Sequence, residues 1–384
     1  MTGRDRTLEA PHRRLKSGSR ILEIAAVRAY RTMSWLIGRV LPPGVARAMI
    51  GRGAQLSYLL WPTKQRWSNS NFGHVLGLAP DDRRVRRLAL SAYHEYSSYI
   101  VEVMRLPYLG REQAASWVEQ AELDGIETAW RESKGGLVLA LGHVGNNEAV
   151  AAAVALRGWP INVVADDSAY PELFEDFRRL REAWGIHVIP WRNLREIFAV
   201  LRKREMLALL VDWGYRADGI PVRLFDAWTT LPAGPATLAA NTGSRILPIT
   251  IRRDGPHGEP HFHVSWTPPI EVASSAPADL ARATQQMADA LAATIGSAPQ
   301  QWYSFKPIWP STAAESDDLR RRAEAMLADD GSKRSAVTTA TPGTSSAPAD
   351  APADAPADAP ADAPADAPAD APADAPADAP AGSA

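Results

Sequence analysis

The chain of 384 residues contains no cysteine. A disulfide framework and a thiolate nucleophile are therefore both excluded. Lysine is scarce too, at six residues against 36 arginines. No 18-residue apolar run occurs, so no segment reads as a spanning helix. Residues 21–41 are largely apolar but broken by Arg28, Arg31 and Arg39, and no small-residue cleavage site follows, so a signal peptide is not expected. The sequence also lacks a Walker A loop, a G-x-S-x-G elbow and an H-E-x-x-H pair.

What is present is unevenly distributed. From Ala347 to Asp378 the tetrapeptide APAD repeats eight times. Proline at every fourth position blocks helix, and no large side chain is available to bury against another. Residues 347–384 therefore read as a disordered, acidic, extended tail. Removing its eight aspartates from a net charge of −2 leaves the remainder at +6. The first 60 residues hold 11 basic residues and three acids, a net +8. Positive charge thus concentrates at the N-terminus, which favours an anionic partner, lipid or nucleic acid. The 13 tryptophans suit either a core or a membrane interface.

Five segments follow from the pattern. Residues 1–20 read as a basic, flexible N-terminus. Residues 21–110 read as helices broken at Pro62 and at the polar segment Ser68 to Gly73. The arginines of 21–41, beside Trp35, Leu36 and Ile37, allow a helix lying in a membrane interface, or an ordinary amphipathic helix packed on the domain. Residues 111–310 alternate short apolar runs with helical stretches, which implies an α/β domain: a mostly parallel central sheet flanked by helices. A turn at Asp254-Gly255 into a run from His261 to Trp266 predicts an antiparallel end to that sheet. The folded body is expected to close near Trp309, with 311–346 as a linker to the 347–384 tail.

The chemically richest stretch is Gly135 to Arg157, GGLVLALGHVGNNEAVAAAVALR. Its apolar run reads as a buried strand stopping at Gly142, and an alanine-rich helix follows. His143 then sits at a strand's carboxyl end, where open parallel sheets bind ligands. Glu148, five residues on, falls in the first turn of the helix and can fold back towards the imidazole. Gly145 permits a tight turn between them and Asn146 suits the N-cap. A carboxylate on one imidazole nitrogen lets the other take a proton from an alcohol. With no serine or cysteine nucleophile at hand, the pair suggests direct transfer of an activated acyl group to a hydroxyl. The same residues also fit a hydrogen-bonded loop histidine and a helix-start glutamate favoured by the dipole.

Other polar groups compete. Asp212 stands at another strand end, where it can bind substrate, support the histidine, or merely close a turn. Asp166-Asp167, just past a strand end, can face the cleft or cap the next helix, and capping is the commoner outcome. His94 and Glu95 are adjacent on a helix and face different sides. His257, His261 and His263 surround a predicted hairpin and lack an acidic cluster, so no metal is expected there.

His143-Val-Gly-Asn-Asn-Glu148 resembles the H-x-x-x-x-[DE] block of the lysophospholipid acyltransferase superfamily. More closely, it is similar to the branch holding the late lipid A acyltransferases and the phosphatidylinositol mannoside acyltransferases. The likeness extends to Leu173 to Pro190, to Leu209 to Asp212, to Gly219, Phe225 and Leu231 to Pro235, and to Gln301-Trp302. It covers roughly residues 25 to 310 and none of the tail. The resemblance implies His143 as general base with Glu148 as its partner, and Gly145, Asn146, Asp212 and Asp218 as substrate-binding positions. It implies acyl-CoA or another acyl thioester as co-substrate, no cofactor, and a hydroxyl acceptor on a membrane phospholipid or glycolipid rather than any nucleic acid. It also implies membrane-docking N-terminal helices on the cytoplasmic face of the inner membrane. Two positions depart from the mannoside branch. Glu148 stands where Asp is usual, preceded by Asn147 instead of an aromatic. Pro221 replaces an acid, for which Asp218 is the nearest substitute. Three activities remain open on this reading: an O-acyltransferase, a non-catalytic lipid-binding relative, and an acyl-thioester hydrolase using the same residues.

Overall fold

Prolines set the rhythm of the N-terminal third. Helix α1 (Ser17–Arg39) is followed by α2 (Pro43–Leu60) and α3 (Pro62–Leu76), both with proline in the first turn. Proline is tolerated there because the N–H it lacks would have had no helical acceptor. Asp82 caps α4 (Arg83–Arg105) by accepting from the Arg84 amide at 2.8 Å. The structure is a computed structural model and describes residues 17–165, 171–254 and 260–329, with side chains from residue 24. The predicted tail, most of the basic N-terminus, Asp166-Asp167, Gly255 and His257 lie outside the described residues.

Beyond α5 (Arg111–Ala115) and α6 (Asp124–Glu132) the chain alternates. The order is β1 (Leu137–Leu141), α7 (Asn147–Leu156), β2 (Ile161–Ala165), α8 (Pro171–Ala183), β3 (His187–Pro190), α9 (Leu194–Arg202) and β4 (Met206–Leu210). A hairpin of β5 (Ile220–Leu224) and β6 (Ala227–Leu231) forms a separate two-stranded sheet. Next come α10 (Gly234–Thr242), β7 (Arg245–Asp254), β8 (His261–Trp266), α11 (Pro277–Ser297) and α12 (Ala313–Ala328).

The main sheet runs β3-β2-β4-β1-β7-β8, with every pairing parallel except the last. This is the α/β architecture expected, antiparallel edge included. Its strands are covered on both faces, and the side-chain period of two divides the core accordingly. Leu137 and Leu139 of β1 join Ile126 and the alanines of α7 on one face. Val138 and Ala140 join Leu201, Ala239 and Leu291 on the other. Each large apolar side chain so buried contributes about 1.5–3 kcal/mol.

Two segments differ from the sequence reading. Ser68 to Gly73 does not break a helix; it lies within α3. Its polar groups turn inwards and are met. Asn71 donates to the carbonyls of Ser304 and Lys306, and Asn69 accepts from the Tyr58 hydroxyl at 2.7 Å. Nor is the chain after Trp309 all linker. Thr312 and Glu315 form a reciprocal capping box that starts α12, which packs Leu319 and Ala323 against the body beside α11 and the β5-β6 hairpin.

Candidate active site

Strands β1 and β4 are parallel neighbours, with Leu141 level with Leu210. The Val211 amide extends the ladder by donating to the Leu141 carbonyl at 2.9 Å. Two residues beyond each strand end, His143 and Asp212 are therefore level as well. Asp212 Oδ1 lies 2.6 Å from His143 Nδ1, and Asp212 Oδ2 accepts from the His143 backbone N–H at 2.9 Å. The Trp302 indole N–H donates to the same Oδ2 at 2.8 Å. One carboxylate thus fixes both the main chain and the ring of His143. Full burial by itself would raise the Asp212 pKa, but the imidazole beside it and the donated hydrogen bonds win, leaving it below the ordinary aspartate value.

The loop after His143 is tightly determined. Gly145 has φ +68°, and a Cβ there would come within 2.4 Å of the Ile251 carbonyl oxygen. The backbone is tied to the segment that follows α11 at two points: Gly145 donates to the Gln301 carbonyl, and Tyr303 donates to the His143 carbonyl at 2.8 Å. Asn146 caps α7, accepting from the Ala149 amide at 3.2 Å.

The structure redistributes the roles read from the sequence. The carboxylate on His143 Nδ1 is Asp212, which moves the orienting role there from Glu148. Both oxygens of Glu148 accept from the Arg181 guanidinium of α8, with Nε at 3.1 Å. Asp212 is fully buried and engaged three ways, which suits holding the histidine better than touching substrate. Asn146 is fully buried in a cap and in a bond to Glu102, so it too is a framework residue. Asp218 is paired with Arg216 on an exposed surface, away from the residues that line the cavity described next. Gly145 lines that cavity. His263 bonds Glu122 and Asp254, and among the described residues no three His, Asp or Glu groups gather to hold a metal ion.

His143 opens onto a cavity of about 310 Å³. The lining side chains that still reach solvent, among them His143, Glu148 and Trp213, mark its mouth, with Arg181 buried against Glu148. Further in, the walls become apolar: Leu139, Val154, Ile161, Ile186, Ala208 and Ile249. Ala208 and Val163 lie in central strands yet are only partly buried, because the slot runs between the sheet and α7. Such a shape can accommodate a hydrocarbon chain at depth with a polar end beside the imidazole.

The match to a model of the bacterial lipid A biosynthesis acyltransferases spans residues 15–311. The chain belongs to that family. It is also similar to the phosphatidylinositol mannoside acyltransferase of Mycolicibacterium smegmatis, 27% identical over 293 residues, which cover 75% of this chain and 92% of the relative. The enzymes of that name from two Mycobacterium tuberculosis strains, CDC 1551 and H37Rv, are each 29% identical over 297 residues, covering 76% of this chain and 89% of theirs. An acyltransferase of this family needs a base for an alcohol and a seat for an acyl chain. His143, held by Asp212, and the apolar slot beside it are the groups in this structure suited to those two tasks.

Proposed function

We propose that this acyltransferase moves a fatty acyl group from an acyl thioester such as acyl-CoA to a hydroxyl of a membrane glycolipid such as a phosphatidylinositol mannoside. The observation that carries the reading is the placement of the His143–Asp212 pair at the entrance of the apolar slot. With Nδ1–H donated to Asp212, the neutral imidazole offers Nε2 as the base. Nε2 takes the acceptor's hydroxyl proton as the oxygen attacks the thioester carbonyl carbon. The tetrahedral intermediate collapses with cleavage of the C–S bond, and the imidazolium returns the proton to the departing thiolate. Asp212 stays ionised throughout and stabilises the imidazolium. Glu148, fixed by Arg181 at the same mouth, shapes where the acceptor lies.

The acceptor's residence in a membrane is supported by the N-terminal helices. Trp35 and Leu36 on α1, Leu59 and Leu60 on α2, and Trp61 beside them are exposed. Apolar and aromatic side chains displayed with arginines on adjoining helices suit the cytoplasmic face of an anionic inner membrane. Among the described residues no helix is long and apolar enough to cross a membrane, so the docking proposed is interfacial.

The test is acyl transfer from labelled acyl-CoA to purified glycolipid acceptors, read by mass spectrometry of the product. Wild-type protein is expected to form the acylated lipid and His143→Ala to form none while remaining folded. Acyl release at the same rate with and without acceptor would make the protein a hydrolase instead, and lipid binding without thioester turnover would make it a binding protein.

A further inference from the structure

The residue that caps α7 has two ends, and only one is needed for capping. Asn146 Oδ1 accepts from the Ala149 amide, as any N-cap oxygen does. Its Nδ2 reaches in the opposite direction and donates to Glu102 Oε2 at 2.9 Å. Glu102 belongs to α4, 44 residues earlier, and is 2% exposed. A carboxylate so buried requires compensation. Arg253 at the end of β7 forms an ion pair with it, and the same guanidinium lies 3.3 Å from Glu95, about two turns earlier on the same face of α4. Arg47 of α2, itself buried, adds a second positive charge to the group.

The same cluster reaches the catalytic loop from its other side. The Gln301 side chain bonds the Arg253 backbone at both N–H (2.7 Å) and carbonyl (2.9 Å), while the Gln301 carbonyl accepts from Gly145. Residues 143–148 are thus clamped between Glu102 on one flank and the 301–303 segment on the other. A serine at 146 would keep the cap but lose the reach to Glu102. An aspartate there would set two carboxylates against each other.

We propose that Glu102 is a positioning residue for catalysis: through Asn146 it sets the start of α7, and so the place of Glu148 and the loop bearing His143. Its effect is carried by one hydrogen bond to the cap and by the ion pair that locks α4 to β7. The helical layer that displays the exposed apolar side chains is thereby joined to the reacting groups through buried charge, not through apolar packing alone.

The kinetic arm rests on the acyl-transfer reading above. Glu102→Ala removes the acceptor, and Asn146→Ser removes the donor while leaving a capping hydroxyl. Each is expected to lower kcat about tenfold to hundredfold with KM for the thioester held within about twofold, as displaced reacting groups require. The double variant is expected to lose no more than the worse single, because both cut one connection. Glu102→Gln keeps an oxygen for Asn146 Nδ2 and is expected to recover most of the rate. If Glu102→Ala unfolds, Asn146→Ser and Glu102→Gln still decide. Wild-type kcat in folded Glu102→Ala or Asn146→Ser, or losses in kcat that multiply in the double variant, would overturn the proposal. Amide exchange at Ala149, read without turnover, separates the two ideas. A protein inert towards every thioester and acceptor, yet with Ala149 exchanging at least about tenfold faster in Glu102→Ala, would refute the acyl-transfer reading and keep the link from Glu102 to the loop. Unchanged exchange would refute the link.

Discussion

Trp302 and Asp212 meet through a single indole N–H, 2.8 Å from Oδ2, inside the core. That bond satisfies an oxygen already serving the His143 main chain, and it leaves Oδ1 aimed at the imidazole. The orientation of the His143 imidazole thus depends on a tryptophan 90 residues away from the carboxylate that holds it.

Asp212→Asn is the sharpest test of that arrangement. The amide is nearly isosteric but cannot stabilise an imidazolium, and its NH₂ can favour the wrong ring tautomer. A fall in kcat of about 10²–10⁴ is expected, with acyl-thioester KM little changed. Loss of the carboxylate also disfavours the protonated imidazole, so the acid limb of residual activity should move to lower pH. A variant as active as the wild type at every pH would remove Asp212 from the mechanism.

Trp302→Phe keeps a ring against Phe72 and Trp309 but deletes the donor. A buried carboxylate then lacks one hydrogen bond, at a cost of about 1–3 kcal/mol in unfolding free energy. Urea titration measures this. Activity per folded molecule should fall less than in Asp212→Asn, since Oδ1 keeps its bond to the ring.

Arg181→Ala leaves Glu148 without the guanidinium that holds both its oxygens. Arg181→Lys restores charge but not the two-point contact, so only partial recovery is expected. If Glu148 shapes the acceptor's seat, acceptor KM should rise in both variants more than thioester KM does. Initial-rate kinetics with each substrate varied separately would show it.

The strand-end histidine was legible because glycine, an apolar run and a helical pattern bracket it within a few residues. Its partner was legible only as one of three readings of Asp212, beside substrate binding and a turn. Asp212 is 69 residues away in sequence, and only the adjacency of β4 to β1 in the order β3-β2-β4-β1 brings the two together. Sequence periodicity identifies strands but not their neighbours. Proximity in sequence instead favoured Glu148, whose own partner, Arg181, sits in a helix of ordinary charged composition. The same limit hid Glu102 and Asn71, polar residues on helices whose partners arrive from distant segments. Helix α12 was missed for the opposite reason: it buries little beyond Leu319 and Ala323, so its charged surface resembles a linker.

His263 carries a pH-dependent share of stability. The hydrogen bond to Glu122 raises its pKa above the ordinary histidine value, partial desolvation opposes this, and Asp254 adds to the rise. A raised folded-state pKa means that stabilisation is fully present below about pH 6.5, the unfolded value, and disappears as pH climbs through the folded value. The difference in Tm between wild type and His263→Gln should therefore be largest in mild acid and shrink towards alkaline pH. A difference that does not vary with pH would show that the pair does not titrate in this way.

Ala208 offers a test of the slot that leaves the mouth untouched. It lies on β4, faces the cavity together with Leu139 and Ile249, and is only partly covered by its neighbours. A phenyl ring there projects into the space assigned to the acyl chain rather than into close-packed core, so Ala208→Phe is expected to fold. Long-chain thioesters would lose the deep part of their seat, each displaced methylene forfeiting about 0.8 kcal/mol. Shorter chains that stop before the ring would lose nothing. The chain-length profile of kcat/KM should thus shift towards shorter donors, with the maximum rate for a short donor preserved because His143 and Asp212 are not disturbed. Competition between thioesters of graded length in one reaction, resolved by mass spectrometry, reads that shift directly. An unchanged profile in a folded variant would place the acyl chain elsewhere.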